Sequence, residues 1–127
     1  MNIWIFSAGV LGLLTSLVHI FAGQIAPVRP FLQSELDDIP KATLLACWHI
    51  VTVILVTSSA LLIYAGWVNA NYLTTVVLGL SLTYVSFAAV FMCVGWYFFK
   101  HHTFIKLPQW VLLLPTGVLG FIGSVQY

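Results

Sequence analysis

The sequence predicts an all-α integral membrane fold: a four-helix up-down-up-down bundle forming a single domain over residues 1–127. Three observations carry that expectation. The chain is 61% hydrophobic and 6% charged, with four Lys or Arg against three Asp or Glu, whereas a soluble domain uses about 25% charged residues. Its apolar residues fall into four runs separated by short polar or proline-bearing connections. At roughly 20 residues per span, 127 residues hold four crossings and no soluble domain.

The first run, about 3–25, is expected to stop at Pro27 and Pro30, because proline cannot continue a helical ladder. Met1-Asn2-Ile3-Trp4 supplies no positive flank and no small-residue cleavage site follows, so the run reads as a retained span and not a signal peptide. Residues 26–40 form the longest connection. Its Phe31, Leu32 and Leu36 alternate with Arg29, Glu35 and Asp37, as in an amphipathic loop lying on headgroups, with a short interfacial turn of helix as the alternative. Asp37-Asp38-Ile39-Pro40 then gives an acidic cap with proline in the first turn, a start signal for the second helix, about 41–67. Asn69-Ala70-Asn71 turns the chain into the third, about 72–99, which Lys100-His101-His102-Thr103 closes. Leu107-Pro108 opens the fourth, about 108–124, where Pro115 is expected to kink the helix and free a carbonyl one turn earlier.

The few charges orient this arrangement. Arg29 and Lys41 flank the first connection and Lys100 and Lys106 the third, while the Asn69 turn and both termini carry no Lys or Arg. Four against none predicts that the charged end is cytoplasmic and both termini face out. Trp4, Trp67, Tyr72 and Tyr127 fall near one expected interface, and Trp48, Trp96, Tyr97 and Trp110 near the other.

The same scarcity removes several function classes. A formal net charge of +1 without a basic cluster argues against nucleic acid as a partner. Cys47 and Cys93 show no CxxC spacing, so neither a zinc ribbon nor a dithiol redox pair is indicated. There is no Gly-rich phosphate loop, GxSxG elbow or HExxH pair. All three acids lie in one connection, which disfavours an ion-coupled transporter.

Helical periodicity of about 100° per residue sorts the remaining polar residues by face. Ala8, Gly12, Thr15, Ser16, His19 and Gly23 share one stripe of the first helix, and Leu45, His49, Thr52, Val56, Ser59 and Gly66 a broad face of the second. Thr75, Gly79, Ser86, Ala89 and Cys93 line one face of the third, and Gly117, Gly120 and Ser124 a seam of the fourth. Small residues let helices approach closely in lipid, so these faces are expected to be buried. On that reading His19, His49 and Cys93 point inward. All three lie roughly 9–12 Å below the cytoplasmic interface, counted from the helix rise, with His101 and His102 above them.

An intramembrane imidazole is costly and marks a candidate site. Two on facing helices suit a haem iron or a transition-metal ion, with His19 and His49 as the cofactor-binding pair and Cys93 and His101 as further metal ligands. Against this stands a packing role, in which His19 bonds Thr52, or His49 bonds Thr15, as interhelical glue. Buried free cysteines are usually inert, and His101 and His102 at a helix C-terminus complement its dipole.

The residues His19-Ile-Phe-Ala-Gly23, Arg29-Pro30, Trp48-His49-Ile-Val-Thr52 and Leu107-Pro108-Gln109-Trp110 make the chain resemble a group of small uncharacterised bacterial inner-membrane proteins with four spans. The resemblance covers nearly the whole chain. It implies a bacterial inner-membrane location and carries no activity across. Two functional readings therefore stand at this level. One is a His-centred metal or haem site in the cytoplasmic half, serving redox chemistry. The other is a non-enzymatic subunit or assembly factor, held in the bilayer and docked to a membrane protein or a second copy of itself through its small-residue seams.

Overall fold

The computed structural model describes residues 1–126; Tyr127, expected at the outer interface, lies outside the described residues. Four principal helices make up the chain: α1 (Ile3–Gly23), α2 (Asp38–Val68), α3 (Thr74–Phe99) and α4 (Trp110–Ser124). Three helical stretches, Ile3–Leu32, Asp38–Val68 and Asn71–Lys106, are long and apolar enough to cross a membrane. α4 is apolar but has 15 residues, short of the roughly 20 that a full crossing takes.

Asn2 starts α1, its side-chain oxygen accepting from the backbone N–H of Trp4 and Ile5 at 3.2 Å each. The expectation that Pro27 and Pro30 end this helix is corrected. Helical winding continues through a π-turn, Gln24–Val28, that contains Pro27, and then through a single α-turn, Arg29–Leu32, with Pro30 in its first positions. Proline lacks an N–H and crowds the carbonyl four residues back. Widening the turn relieves both, since the Arg29 N–H reaches back five residues to the Gln24 carbonyl. The first connection thus contains one turn of helix. At the other end of the chain, α4 runs through Pro115 without interruption.

α1 packs against α2 on one side and α4 on the other, α3 packs on α4, and α2 and α3 meet only sparsely. The contacts run in opposite senses along each pair. Gly66 of α2 faces Phe6, Gly9 faces Ile63, Gly12 faces Ser59, and Gly23 faces Trp48. Gly123 faces Ile5, Gly120 faces Ala8 and Ser81, and Gly117 faces the Ser81 carbonyl and Val85. At Gly9, Gly66 and Gly117 an added Cβ would strike backbone, and at the others a packed side chain, so the helices approach closely along both seams. Ser16, Ser59, Ser81 and Thr116 are almost fully buried in the same seams. Each donates its hydroxyl to the carbonyl one turn back, at 2.6–2.9 Å. Among the described residues no buried side-chain polar atom is left without a partner.

Asn2 also closes the bundle. Its backbone N–H donates to the Gly66 carbonyl at 2.8 Å, and its side-chain amide to the Gly123 carbonyl at 3.1 Å. One residue therefore caps α1 and satisfies carbonyls near the ends of both α2 and α4, where helices leave orphan acceptors.

The buried faces of α1 and α4 agree with the periodicity reading, but α3 presents its other side. Val77, Ser81, Tyr84, Ala88 and Gly95 are buried there, while Thr75, Gly79, Ser86, Ala89 and Cys93 are exposed. The reason is the gap between α2 and α3. Close-packed helices need small residues, but a pair held apart needs a long side chain, and Tyr84 fills that space.

Overpacking a tight contact typically costs about 1–3 kcal/mol. Gly66→Leu, which meets Phe6 backbone, is expected to lower unfolding stability in detergent by at least about 2 kcal/mol. Gly79→Leu, with nothing within 4 Å of its Cβ, is expected to leave it unchanged or raise it slightly.

Candidate functional site

His19 lies near the end of α1, half-buried, in the stripe that faces α2. Its ring stacks on the Trp48 indole with centroids 3.9 Å apart and planes inclined by 14°. Its Nε2 is 3.4 Å from the Trp48 carbonyl oxygen. A carbonyl only accepts, so Nε2 carries the hydrogen and, in the neutral ring, Nδ1 keeps the free lone pair. The indole lies over Gly23, where any side chain would strike it. His19, Gly23 and Trp48 thus form one interlocked contact at the charged end of the α1–α2 pair.

The Trp48 carbonyl takes a second donor, the Thr52 hydroxyl at 3.1 Å. The expected pairings of His19 with Thr52 and His49 with Thr15 do not form. Thr15 donates to its own Leu11 carbonyl at 2.8 Å, because a helical threonine finds an acceptor one turn back without crossing to a neighbour. The backbone of α2, and not a hydroxyl, is what His19 meets.

His49 follows Trp48 and stands within electrostatic reach of His19, but its side chain is exposed. The inward place on this turn belongs to Trp48, in line with Leu55, Ser59 and Leu62. A rotation of about 100° carries the next residue onto the flank. Cys93 is exposed on the outward face of α3, and Cys47 is exposed on α2. His101 and His102 are exposed beyond the end of α3, their rings 4.1 Å apart. The inward layer of two histidines and a thiol is therefore corrected: of the three, only His19 turns toward a neighbouring helix. Among the described residues no group of three or more His, Cys, Asp or Glu is placed to hold a metal ion, so Cys93 and His101 do not join the histidine pair.

Deeper in the bundle is a contact that periodicity did not find. Tyr84, 2% exposed, places its hydroxyl 2.9 Å from Ser58 Oγ and 3.1 Å from Ser59 Oγ, close against Gly12. Both serines also donate to the Leu55 carbonyl. A sequence signal existed. Ser58 lies ten residues before the end of α2 at Val68 and Tyr84 ten residues after the start of α3 at Thr74, so the tyrosine and the serine pair share a depth in adjoining helices.

No protein family, curated protein or solved structure matches the chain. The Tyr84 cluster holds hydroxyls without a carboxylate or imidazole beside them, so it is a tie between α2 and α3 and has no base with which to activate a nucleophile. The His19 contact has different potential: one ring nitrogen is committed to a carbonyl and the other is left for a ligand.

Removing the Tyr84 hydroxyl should cost little, because Ser58 and Ser59 keep the Leu55 carbonyl. Tyr84→Phe is expected to destabilise the bundle by roughly 0.6–1.7 kcal/mol, the range of interhelical hydrogen bonds in membrane proteins. Unfolding by titration with a denaturing detergent measures it.

Proposed function

We propose that the protein is a small bacterial inner-membrane bundle acting as a non-enzymatic subunit or assembly factor, which binds a transmembrane helix of a larger membrane complex on the outward face of α3. All four helices cross in up-down-up-down order in this reading, the 15-residue α4 as a short span accommodated by local thinning of the bilayer, with the charged connections cytoplasmic and both termini outside. The opposed contact sequences of α1 with α2 and of α4 with α1 and α3 support that order. The one-sided Arg29, Lys41, Lys100 and Lys106 support the orientation. The resemblance noted above supports the bacterial location.

The observation that carries the partner role is the small-residue stripe of α3. Thr75, Gly79, Ser86, Ala89 and Cys93 are exposed, and nothing lies within 4 Å of a side chain built on Gly79. Small residues gain nothing against lipid tails, whereas against another helix they allow close backbone approach. The comparable seams at Gly12, Gly117 and Gly120 are already filled by Ser59, Val85 and Ser81. They hold the protein's own helices, so a docking role expected for Gly12 passes to Gly79.

A second reading keeps His19 and His49 as the residues that would hold a haem iron, which would supply redox chemistry there. Metal-binding imidazoles characteristically donate their other N–H to a carbonyl or carboxylate, which fixes ring and tautomer. His19 does this with Trp48. Two imidazoles suffice for a haem iron, while a bare zinc or copper ion takes a third ligand that is not gathered here.

Affinity purification from native membranes should recover the protein with its partner. Gly79→Leu is expected to release the partner at least tenfold, and Cys93 to form a thiol cross-link to it. If Gly79→Leu leaves every partner bound, the docking role fails; cross-linking of two copies through Cys93 would make the partner a second copy. A Soret band in the purified protein, lost in both His19→Ala and His49→Ala, would establish the haem reading instead.

A further inference from the structure

The chain leaves α3 at Lys100, whose φ of 52° turns it sharply, and it does not run freely to α4. Lys100–His102 forms a 3-10 turn and Thr103–Lys106 a single α-turn. Thr103, 1% exposed, is seated in the notch left by Gly95, where a side chain would strike it, and its hydroxyl donates to the Lys100 carbonyl. The connection is therefore folded back against α3 and pinned at its centre. Phe104 meets the Trp110 ring edge-on at 5.8 Å, and the Trp110 indole N–H donates to the Phe104 carbonyl at 3.4 Å. Lys106 Nζ stands 5.0 Å over the Phe99 ring.

This fold fixes two kinds of side chain side by side. Lys100, His101, His102 and Lys106 are exposed, and among them Phe104 and Ile105 are 48% and 81% exposed. We propose that the α3–α4 connection is a binding site for the phosphate group of an anionic phospholipid, with Lys100 and Lys106 at the headgroup and Phe104 and Ile105 in the upper acyl region. Charge complementarity selects this connection over its neighbour. The first connection sets Arg29 and Lys41 against Glu35, Asp37 and Asp38, for a net of −1, and no acid follows Asp38 in the sequence, so the third connection carries +2 from its two lysines. The exposed apolar pair selects a lipid over a soluble anion, since a free phosphate offers Phe104 and Ile105 nothing to bury against. A lysine near an anionic surface contributes about a fivefold preference.

The site rests on the membrane-crossing part of the function proposed above and is independent of partner docking. The test uses the full chain inserted in phosphatidylcholine vesicles containing either dibrominated phosphatidylglycerol or dibrominated phosphatidylcholine, read by quenching of tryptophan fluorescence, to which Trp96 and Trp110 contribute beside the connection. The anionic quencher is expected to be preferred about 25-fold, two lysines each contributing about fivefold. Lys100→Gln and Lys106→Gln should each lower that preference about fivefold and together abolish it, at unchanged helical content by circular dichroism, while Lys41→Gln leaves it intact. Equal quenching by the two lipids, preference surviving the double substitution, equal loss in Lys41→Gln, or reversal by millimolar inorganic phosphate at constant ionic strength would each overturn the lipid site. A chain whose helices all remain open to protease outside the vesicle overturns the membrane reading as well, so the two failures are distinguished.

Discussion

The structure depends on how closely α1 can be approached from two sides. Its residues Ala8, Gly9 and Gly12 are buried, and α2 comes down on Gly9 so tightly that a side chain there would strike the Ile63 backbone, while Gly120 of α4 faces Ala8. In a chain with 6% charged residues there are few ion pairs to hold helices together, and in lipid the apolar side chains gain little by leaving their surroundings. What remains is dispersion at close range, individually small and summed over long seams. The buried hydroxyls fit the same constraint. By bonding one turn back they add no unmet donor, and a serine in that state packs almost as an alanine does. Asn2 completes the arrangement at the end where α1, α2 and α4 converge.

Much of this was legible in the sequence because close packing leaves a compositional mark. Gly12, Ser16, Gly66, Gly117 and Gly120 are small, recur at helical spacing, and are buried where that spacing places them. The helix count followed from the length and spacing of apolar runs. α3 was misread for an instructive reason. Its small stripe is as regular as the others, but regularity reports only that a face is smooth, not which neighbour it meets. The inward face is set by Tyr84, a bulky residue where two helices stand apart, and bulk in an apolar run does not stand out. Pro27 was misread in a related way. The missing N–H was plain, but that one wide turn absorbs it depends on geometry that residue identities do not encode.

The candidate site was legible as an address and not as an arrangement. His19 was correctly placed toward α2, since it extends the Gly12 and Ser16 stripe. Its partner was not, because a backbone carbonyl has no signature in a sequence. The same one-residue ambiguity moved His49 to the flank: either residue 48 or 49 continues the second helix's face within the tolerance of periodicity, and the larger indole took the position against Gly23. Around that choice the two functional readings divide. The haem proposal rests on the imidazole bonded to Trp48, and the docking proposal on the exposed small residues of α3.

The sparse meeting of α2 with α3 bears on how the molecule is built during synthesis. When α2 is complete, α1 and α2 already share their seam and constitute a hairpin. α3 emerges next with little to lean on beyond the Tyr84 tie to Ser58 and Ser59, for its broad contact is with α4, which follows it in the chain. The two later helices thus become a unit only after α4 has been made, and the hydrogen bond from Asn2 to Gly123 then joins positions 121 apart in the chain. With α1 and α2 broadly paired and α3 and α4 likewise, the bundle divides into two hairpins that meet along α1 and α4, and a chain without α4 would leave α3 without its main neighbour.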